Sequence, residues 1–464
     1  MKIFENIIRD ELMHKCEHLL NDNQHGFLPQ RSCTTQLVTF NDSLAVSLND
    51  NIRTDVIYFD FAKAFDSVNH DIILRKLRDK FAINGTLLKF LVNYLENRKQ
   101  CVVIGGAKSG LKNVTSGVPL GSILGPLLFV IFINDMINSI SLGTNIALYA
   151  DDTKIWRKIE NWSDHDILQK DINNLYEWSV NNKMKFHPQK CKVLIVNMHE
   201  SNSIWDIIFP FQSYYYHLNG IDLEFTSNVL DLGIIITTKL SWRDQCLALF
   251  SKASSRLGIL KRVCHFVNCQ KQKRILYLAL VRSQFEHCGN IWRPCTEELI
   301  RKLENIQRRG VKWILSEHGH HYNDLEYLKR LKDLDMFPLR EKFDYSDLVL
   351  FQKIYYGNSV ITLPNYLHAI THEDRSRLRS NICPPQYYSQ FSTIDLGTMR
   401  SNRYDNLSLK CSIEPKVAAF KRSYFFRTHL LWNELPVKLR EIKEITKFEK
   451  DLKYYLWDVL LHPH

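Results

Sequence analysis

The chain holds 464 residues with 61 Lys and Arg against 50 Asp and Glu, a formal charge of +11. That length exceeds the roughly 250–300 residues at which a single core stops growing, so more than one domain is expected, and the basic excess suits an anionic partner. Eleven cysteines are scattered rather than closely paired and no signal peptide precedes them, which argues against a disulfide scaffold and for a reducing, intracellular compartment.

In chain order, the first informative segment is TDVIYFDFAKAFDSVNHDIILRKL. Val56 to Phe61 forms a β-branched and aromatic run interrupted by Asp60, which predicts a buried strand delivering a carboxylate at its end. Burying an unpaired charge is costly, so Asp60 wants a partner or a metal. Asp66, Ser67, Asn69 and Asp71 are helix-starting side chains ahead of the amphipathic run Ile72 to Leu77. A helical pair is expected around Asp71 to Arg98, then a β-hairpin near Cys101 to Val114. Next comes NVTSGVPLGSILGPLLFVIFINDM, where Gly117, Pro119, Gly121, Gly125 and Pro126 make a turn-rich stretch that lets backbone approach a ligand. Leu127 to Ile133 is far shorter than the roughly 20 residues a membrane span needs, so it reads as a core helix and no membrane partner is expected.

The segment NIALYADDTKIW then reads as a β-hairpin, with Ile146 to Tyr149 and Lys154 to Trp156 as arms and Asp151 and Asp152 at the tip. Taken alone, a YADD turn is better explained by the preference of Asp for turns. Paired with Asp60 on a second strand end, it gains a chemical reading. Two such ends brought together match the two-metal arrangement that clamps the attacking and leaving oxygens of a phosphoryl transfer, and hard carboxylate ligands suit Mg2+ or Mn2+.

Helix dominates from Ser241 to about Leu315. Between Ser241 and Arg330 lie 17 Lys and Arg against 8 Asp and Glu, and from Gln245 to Phe285 there is no acidic residue at all. Lys252, Arg256, Lys261, Arg262, Lys271, Lys273, Arg274 and Arg282 fall in that acid-free stretch, a pattern suited to phosphate backbone or to a solvated helix face. The sequence after Lys329 reads as less regular, with a polar, Pro-containing patch from Thr371 to Pro385 and a helical ending after Pro436. The aromatic Tyr424, Phe425, Phe426 and Trp432 are expected to serve packing rather than base stacking.

The order FDFAKAFD, SGVPLGSILGPLLF, YADD resembles the palm of reverse transcriptases, and more narrowly those of non-LTR, LINE-type retrotransposons of the jockey kind. KIFENIIRDEL and QHGFLPQRSCTTQLV resemble fingers segments of that family, WSVNNKMKFHPQKCKVLIV its fourth palm motif and VLDLGIIITTKLSW its primer grip. KASSRLGILKR, FEHCGNIWRP and KLENIQRRGVKWIL resemble its thumb, and SYFFRTHLLWNELP with Phe448 its usual ending. The resemblance implies an α+β right-hand polymerase palm with a ferredoxin-like core. It places partial fingers at 1–54, palm at 55–240, a helical basic thumb at 241–330 and a mostly helical C-terminal extension at 331–464.

By that resemblance the chain is an RNA-directed DNA polymerase with Asp60, Asp151 and Asp152 as catalytic, metal-holding acids. Phe61, Phe65, Gly117, Leu120, Gly121 and Lys190 would lie at the nucleotide, Phe65 as the ring that crowds a ribose 2′-hydroxyl. Leu232 and Gly233 would position the primer end, and Lys252, Arg256, Lys261, Arg262, Lys271, Lys273 and Arg274 would meet nucleic-acid backbone. The implied partners are an RNA template, a DNA primer and deoxynucleoside triphosphates, with Mg2+ or Mn2+ as cofactor. Target-primed integration would take such a protein into the nucleus. The oligomeric state is open.

Two departures from the family pattern stand out. Leu120 replaces the Gln usual in the GVPLGS loop, and Leu28 stands where Arg often follows GF, although Arg31 is close by. An N-terminal truncation that removes much of the basic fingers segment is expected. The alternative is therefore a non-catalytic, nucleic-acid-binding remnant of such an element. Cys264, His265 and Cys269, and likewise His318, His320 and His321, lack paired zinc-ligand spacing, so no zinc is expected.

Overall fold

The protein is described by a computed structural model covering residues 2–96, 98–198, 215–316, 323–370 and 407–462. The chain divides into two compact units, one of residues 1–36, 50–232 and 237–239, the other of 37–49, 233–236 and 240–464.

At the centre of the first unit is strand β1 (Arg53–Phe59), in which Val56 and Ile57 have no exposed surface. β-Branched residues enclosed on both faces belong in the middle of a sheet, and that is where this strand lies. It pairs antiparallel with β3 (Asp152–Ile159) on one side and β4 (Lys192–Val196) on the other. Strand β2 (Asn145–Tyr149) pairs antiparallel with the far edge of β3, and β5 (Glu224–Thr226) runs parallel to β4, giving the order β5-β4-β1-β3-β2. The strand also buries a carboxylate that sequence reading passed over. Asp55 is wholly enclosed, and it is tolerated because Arg53 grips it through two hydrogen bonds of 2.7 and 2.8 Å while the Tyr216 hydroxyl donates a third at 2.8 Å.

Helices cover the sheet. The longer ones of the first unit are α1 (Lys2–Cys16), α3 (His70–Asp79), α4 (Gly85–Leu95), α5 (Leu124–Ile133) and α6 (Trp162–Asn181), while α2 (Cys33–Asn49) falls mostly in the second. Asn69 caps α3 as its composition predicts, its side chain accepting from the Ile72 amide at 3.1 Å. All of α5 except Pro126 is buried, which is what the sequence LGPLLFVIFI demands. Its carboxyl end is closed by Lys76, whose Nζ donates to the Phe132 carbonyl at 2.6 Å and pairs with Asp135 at 2.8 Å; a cation there opposes the helix dipole. The predicted hairpin after α4 is present as two short ladders, Lys99–Gln100 with Lys112–Asn113 and Val103–Ile104 with Ala107–Lys108, all exposed.

Strands β6 (Asn228–Asp231) and β7 (Ile234–Thr237) precede the helices of the second unit: α7 (Arg243–Val263), α8 (Gln270–Tyr277), α9 (Glu297–Leu315), α10 (Asp324–Asp333), α11 (Leu339–Tyr355), α12 (Tyr424–Glu434) and α13 (Ile445–Leu461). The stretch after Lys329 is thus more regular than its sequence suggested. Phe351, Trp432 and Phe448 are buried and meet ring to ring at 5.5 and 6.1 Å, so α11, α12 and α13 share an aromatic core. Tyr424 and Phe425 are buried as well, and Phe426 leans on Phe420 at 5.2 Å. Thr371 to Pro385 lies outside the described residues. No helix among the described residues is long and apolar enough to cross a membrane.

Candidate active site

The three carboxylates singled out in the sequence meet at one end of the sheet. The β1–β3 register pairs Phe59 with Thr153, so the next step along the ladder carries Asp60 to the level of Asp152. Asp60 has left the strand, which ends at Phe59 rather than Phe61. Asp151 occupies the two-residue turn between β2 and β3, and Asp152 opens β3, so the adjacent aspartates are separated into a turn position and a strand position. That solves the difficulty that neighbouring strand residues face opposite sides.

The acids feel one another. Enclosure of its carboxyl, followed by the charge of Asp60, raises Asp151 above the usual carboxylate range. Asp152 is exposed as a residue, yet protein surrounds much of its carboxyl; that desolvation first, then the charges of Asp151, Asp231 and Asp60, push it up to about 6. Lys190, in the short turn Pro188–Lys190 ahead of β4, places Nζ 3.6 Å from an Asp60 oxygen. Among the described residues no group of three or more His, Cys, Asp or Glu side chains is placed to hold a metal ion by itself. Asp60, Asp151 and Asp152 offer carboxylate oxygens alone. That donor set fits Mg2+, which commonly takes one or two carboxylates and completes its shell with water and substrate phosphates.

The glycine-rich loop is laced to the segment after Asp60. Gly117 donates to the Val68 carbonyl at 2.8 Å, Val118 to that of Phe65 at 2.9 Å, and His70 Nε2 lies 2.9 Å from the Gly117 oxygen. With φ at +90° and the Asp66 backbone 2.9 Å from where a Cβ would stand, Gly117 is required by the neighbouring chain. Gly121 also has positive φ, but around it the space is open, and Leu120 beside it is 82% exposed. Phe65 is half-buried, stacked on Phe129 at 4.4 Å with Phe27 edge-on at 6.0 Å, so its ring borders the core and the surface. Phe61 differs from expectation. Its ring is buried and stacked on Phe186 at 4.4 Å, because the chain after β1 bridges to Phe186, and the ring is thereby committed to the core instead of a nucleotide.

Arg31 is also committed. Its guanidinium donates to the carbonyls of Asn21, Asp22 and Gln24 at 3.1, 2.6 and 2.8 Å and pairs with Asp22 at 2.9 Å, so it holds a loop and does not stand in for the absent Arg at Leu28.

A pair missed in the sequence lies directly behind the acids. Lys154, two residues along β3 from Asp152, is 3% exposed and forms an ion pair with Asp231, to which the Tyr58 hydroxyl also donates at 3.4 Å. Burial lowers the Lys154 ammonium, and Asp231 opposes that effect. A charged residue alternating with apolar ones in a central strand was the available signal. Asp231 ends β6 and leads straight into Leu232 and Gly233, both with positive φ, 47° and 84°. At Gly233 a Cβ would also stand 3.2 Å from the His287 ring.

The basic stretch divides by orientation. Lys252, Arg262 and Lys271 are exposed, and Arg256 and Lys261 are half-exposed. Lys273 is buried, bonded to the Ser316 hydroxyl at 2.7 Å, and Arg274 donates to the Leu334 and Asp335 carbonyls at 2.5 and 3.2 Å. Arg282 is buried against Gln307 and Phe337. These three are spent within their own unit and correct the expectation that Lys273 and Arg274 face nucleic acid. Cys264, His265 and Cys269 form no metal cluster among the described residues, and His318, His320 and His321 lie outside them.

A family profile described as reverse transcriptase (RNA-dependent DNA polymerase) matches residues 1–278. Among curated proteins, the chain is 24% identical over 324 residues to a probable RNA-directed DNA polymerase from transposon BS of Drosophila melanogaster, covering 68% of this chain and 35% of that protein. It is 28% identical over 265 residues to the RNA-directed DNA polymerase from mobile element jockey of Drosophila funebris, covering 55% and 28%. The chain therefore spans about a third of the length of the curated relatives it matches. Among solved structures, apo telomerase from Candida tropicalis aligns with a TM-score of 0.39 at 11% identity, over 73% of this chain and 55% of that one.

Proposed function

Because this chain belongs to the reverse transcriptase family, we propose that it extends a DNA primer on an RNA template by two-metal nucleotidyl transfer, as the polymerase part of a non-LTR retrotransposon protein. In this reading the five-stranded sheet is the palm at 55–240. Residues 1–54 form part of the fingers, 241–330 the thumb and 331–464 a C-terminal extension. The observation that carries the reading is the convergence of Asp60, Asp151 and Asp152 at one sheet end, where the charge of Asp60 adds to burial in raising Asp151, and the charges of Asp151 and Asp60 do the same for Asp152.

Divalent cations held there would supply Lewis acidity toward the primer 3′-hydroxyl and offset charge on the triphosphate. The chain's own groups do the rest. Asp60 and Asp151 would hold the cations, and Asp152 would support them from the strand. Lys190, whose Nζ is 3.6 Å from Asp60, would give a proton to departing pyrophosphate. The half-buried ring of Phe65, backed by Phe129, excludes a 2′-hydroxyl and so selects deoxynucleotides. The Leu232–Gly233 turn seats the primer end, and its anchor Asp231 is tied to the same strand that carries Asp152. Exposed Leu120 offers the incoming nucleotide apolar contact without a hydrogen bond. Lys252, Arg256, Lys261, Arg262 and Lys271 meet template–primer phosphates.

Purified protein given Mg2+, deoxynucleotides and a DNA primer annealed to RNA should lengthen the primer, and Asp151→Asn should abolish this while leaving RNA–DNA binding intact. Binding without extension by the unaltered chain would overturn the proposal in favour of a non-catalytic remnant.

A further inference from the structure

The turn between β2 and β3 opens on a residue that does not favour turns. Ala150, its first residue, has φ of +54°, a conformation that a side-chain-bearing residue adopts only when its surroundings impose it. The surroundings that do so come from residues 23–26. Leu148 donates to the Asn23 carbonyl at 2.9 Å and accepts from the His25 amide at 2.8 Å, so this loop lies along the outer edge of β2 as a short parallel bridge. Gly26 then presses on the turn itself, for a Cβ there would stand 2.3 Å from the Ala150 nitrogen. Between them, the Gln24 side chain, 1% exposed, accepts through one Oε1 from both the Gly26 amide at 2.7 Å and the Ala150 amide at 3.0 Å.

Two donors facing one side-chain atom require that atom to be the oxygen. The amide is thereby turned so that Nε2 is buried without a hydrogen-bond partner. Packing does not explain a side chain that leaves a buried donor unmet, since an apolar residue of the same length would avoid that cost. The oxygen is what the site uses. Arg31 completes the device from behind, its guanidinium gathering the carbonyls of Asn21, Asp22 and Gln24.

We propose that Gln24 is a positioning residue for catalysis: its side-chain oxygen holds the Ala150 amide, and with it the left-handed turn that presents Asp151 beside Asp60, on a loop that Arg31 keeps rigid. This rests on the polymerase reading above for its effect on turnover, but not for its effect on the metal face. The turn sets where the Asp151 carboxylate points, so losing the oxygen weakens cation binding without touching the nucleic-acid surface.

The test compares wild type, Gln24→Leu, and Gln24→Leu combined with Ala150→Gly. Mn2+ binding is followed by the EPR signal of the free ion, beside primer-extension kcat, template–primer Kd and melting temperature. Loss of a group that orients a metal ligand typically weakens metal binding about 10- to 100-fold. Gln24→Leu should weaken Mn2+ binding about tenfold and lower kcat in step, with template–primer Kd unchanged. Glycine adopts positive φ without help, so Ala150→Gly should recover most of both losses. Unchanged Mn2+ affinity in Gln24→Leu, or a loss that Ala150→Gly does not relieve, overturns the proposal. Should Gln24→Leu not fold, Arg31→Met loosens the same loop and must shift Mn2+ affinity in the same direction. A wild type that binds Mn2+ yet never extends a primer refutes the polymerase reading alone, because the turn is still judged by metal affinity.

Discussion

Asp42 is 8% exposed and accepts the Tyr366 hydroxyl at 2.6 Å. Burial raises its carboxyl to about 7, and the hydrogen bond from Tyr366 only partly offsets this. The folded protein therefore keeps a proton there that the unfolded chain releases near pH 4, so stability falls as pH rises from about 4 to about 7 and the loss is complete above that. Its size is on the order of 2–4 kcal/mol for a group this enclosed. Asp42→Asn keeps the acceptor and removes the titration, so in urea melts at pH 5 and pH 8 the variant should lose less stability than wild type between the two; an equal loss would exclude Asp42 as the source. At this scale the sequence was legible where a residue type is rare in its surroundings. Asp60 in an apolar strand announced itself. Gln24 did not, because a glutamine in a polar loop gives no sign that its oxygen is the part being used.

Among the elements, the tie between β3 and β6 decides how the acids and the turn after Asp231 stay in register. Lys154 and Asp231 are buried together, so removing only one leaves an uncompensated charge. Lys154→Met should cost about 3–5 kcal/mol in urea denaturation, and Lys154→Met with Asp231→Leu should regain most of it, since an apolar pair of similar volume replaces a buried ion pair at little cost. A single variant within about 1 kcal/mol of wild type would show the pair to be slack. The β2–β3 hairpin and α5 were readable from alternation and from an unbroken apolar run. Less readable were places where a residue answers to chain distant in sequence. Gly117 suggested a ligand-facing backbone, whereas the Asp66 backbone is what excludes a side chain there. Phe61 suggested a nucleotide contact, whereas its bridge to Phe186 turns the ring inward.

For the whole molecule, net charge indicated an anionic partner but not which cations face it. Lys273, Arg274 and Arg282 lie in the acid-free stretch, and all three bond within the second unit. Alternating exposure along a helix is visible in sequence; which cation finds a carbonyl sixty residues away is not. Salt dependence separates the two sets. Each phosphate contact adds roughly 0.7–0.9 to the slope of log affinity against log salt, so Arg262→Gln with Lys271→Gln should flatten the slope by one to two for an RNA–DNA duplex without altering melting. Lys273→Met should do the reverse, lowering melting and leaving the slope alone. Beyond Lys329 the helical ending that became α13 was expected, and α11 and α12 were expected only through the family resemblance, because their order comes from rings meeting across α11, α12 and α13 rather than from any single strong periodic run.

The claim on which the rest depends is that Asp60, Asp151 and Asp152 form one centre that copies RNA into DNA. Single-turnover addition on an RNA template of mixed sequence, with the DNA product sequenced, tests it most directly. Wild type should give Mg2+-dependent product complementary to the RNA, and Asp60→Asn or Asp151→Asn none, each still folded and still binding the duplex. Product that persists in either variant, or none from wild type at saturating Mg2+ and deoxynucleotides, contradicts it.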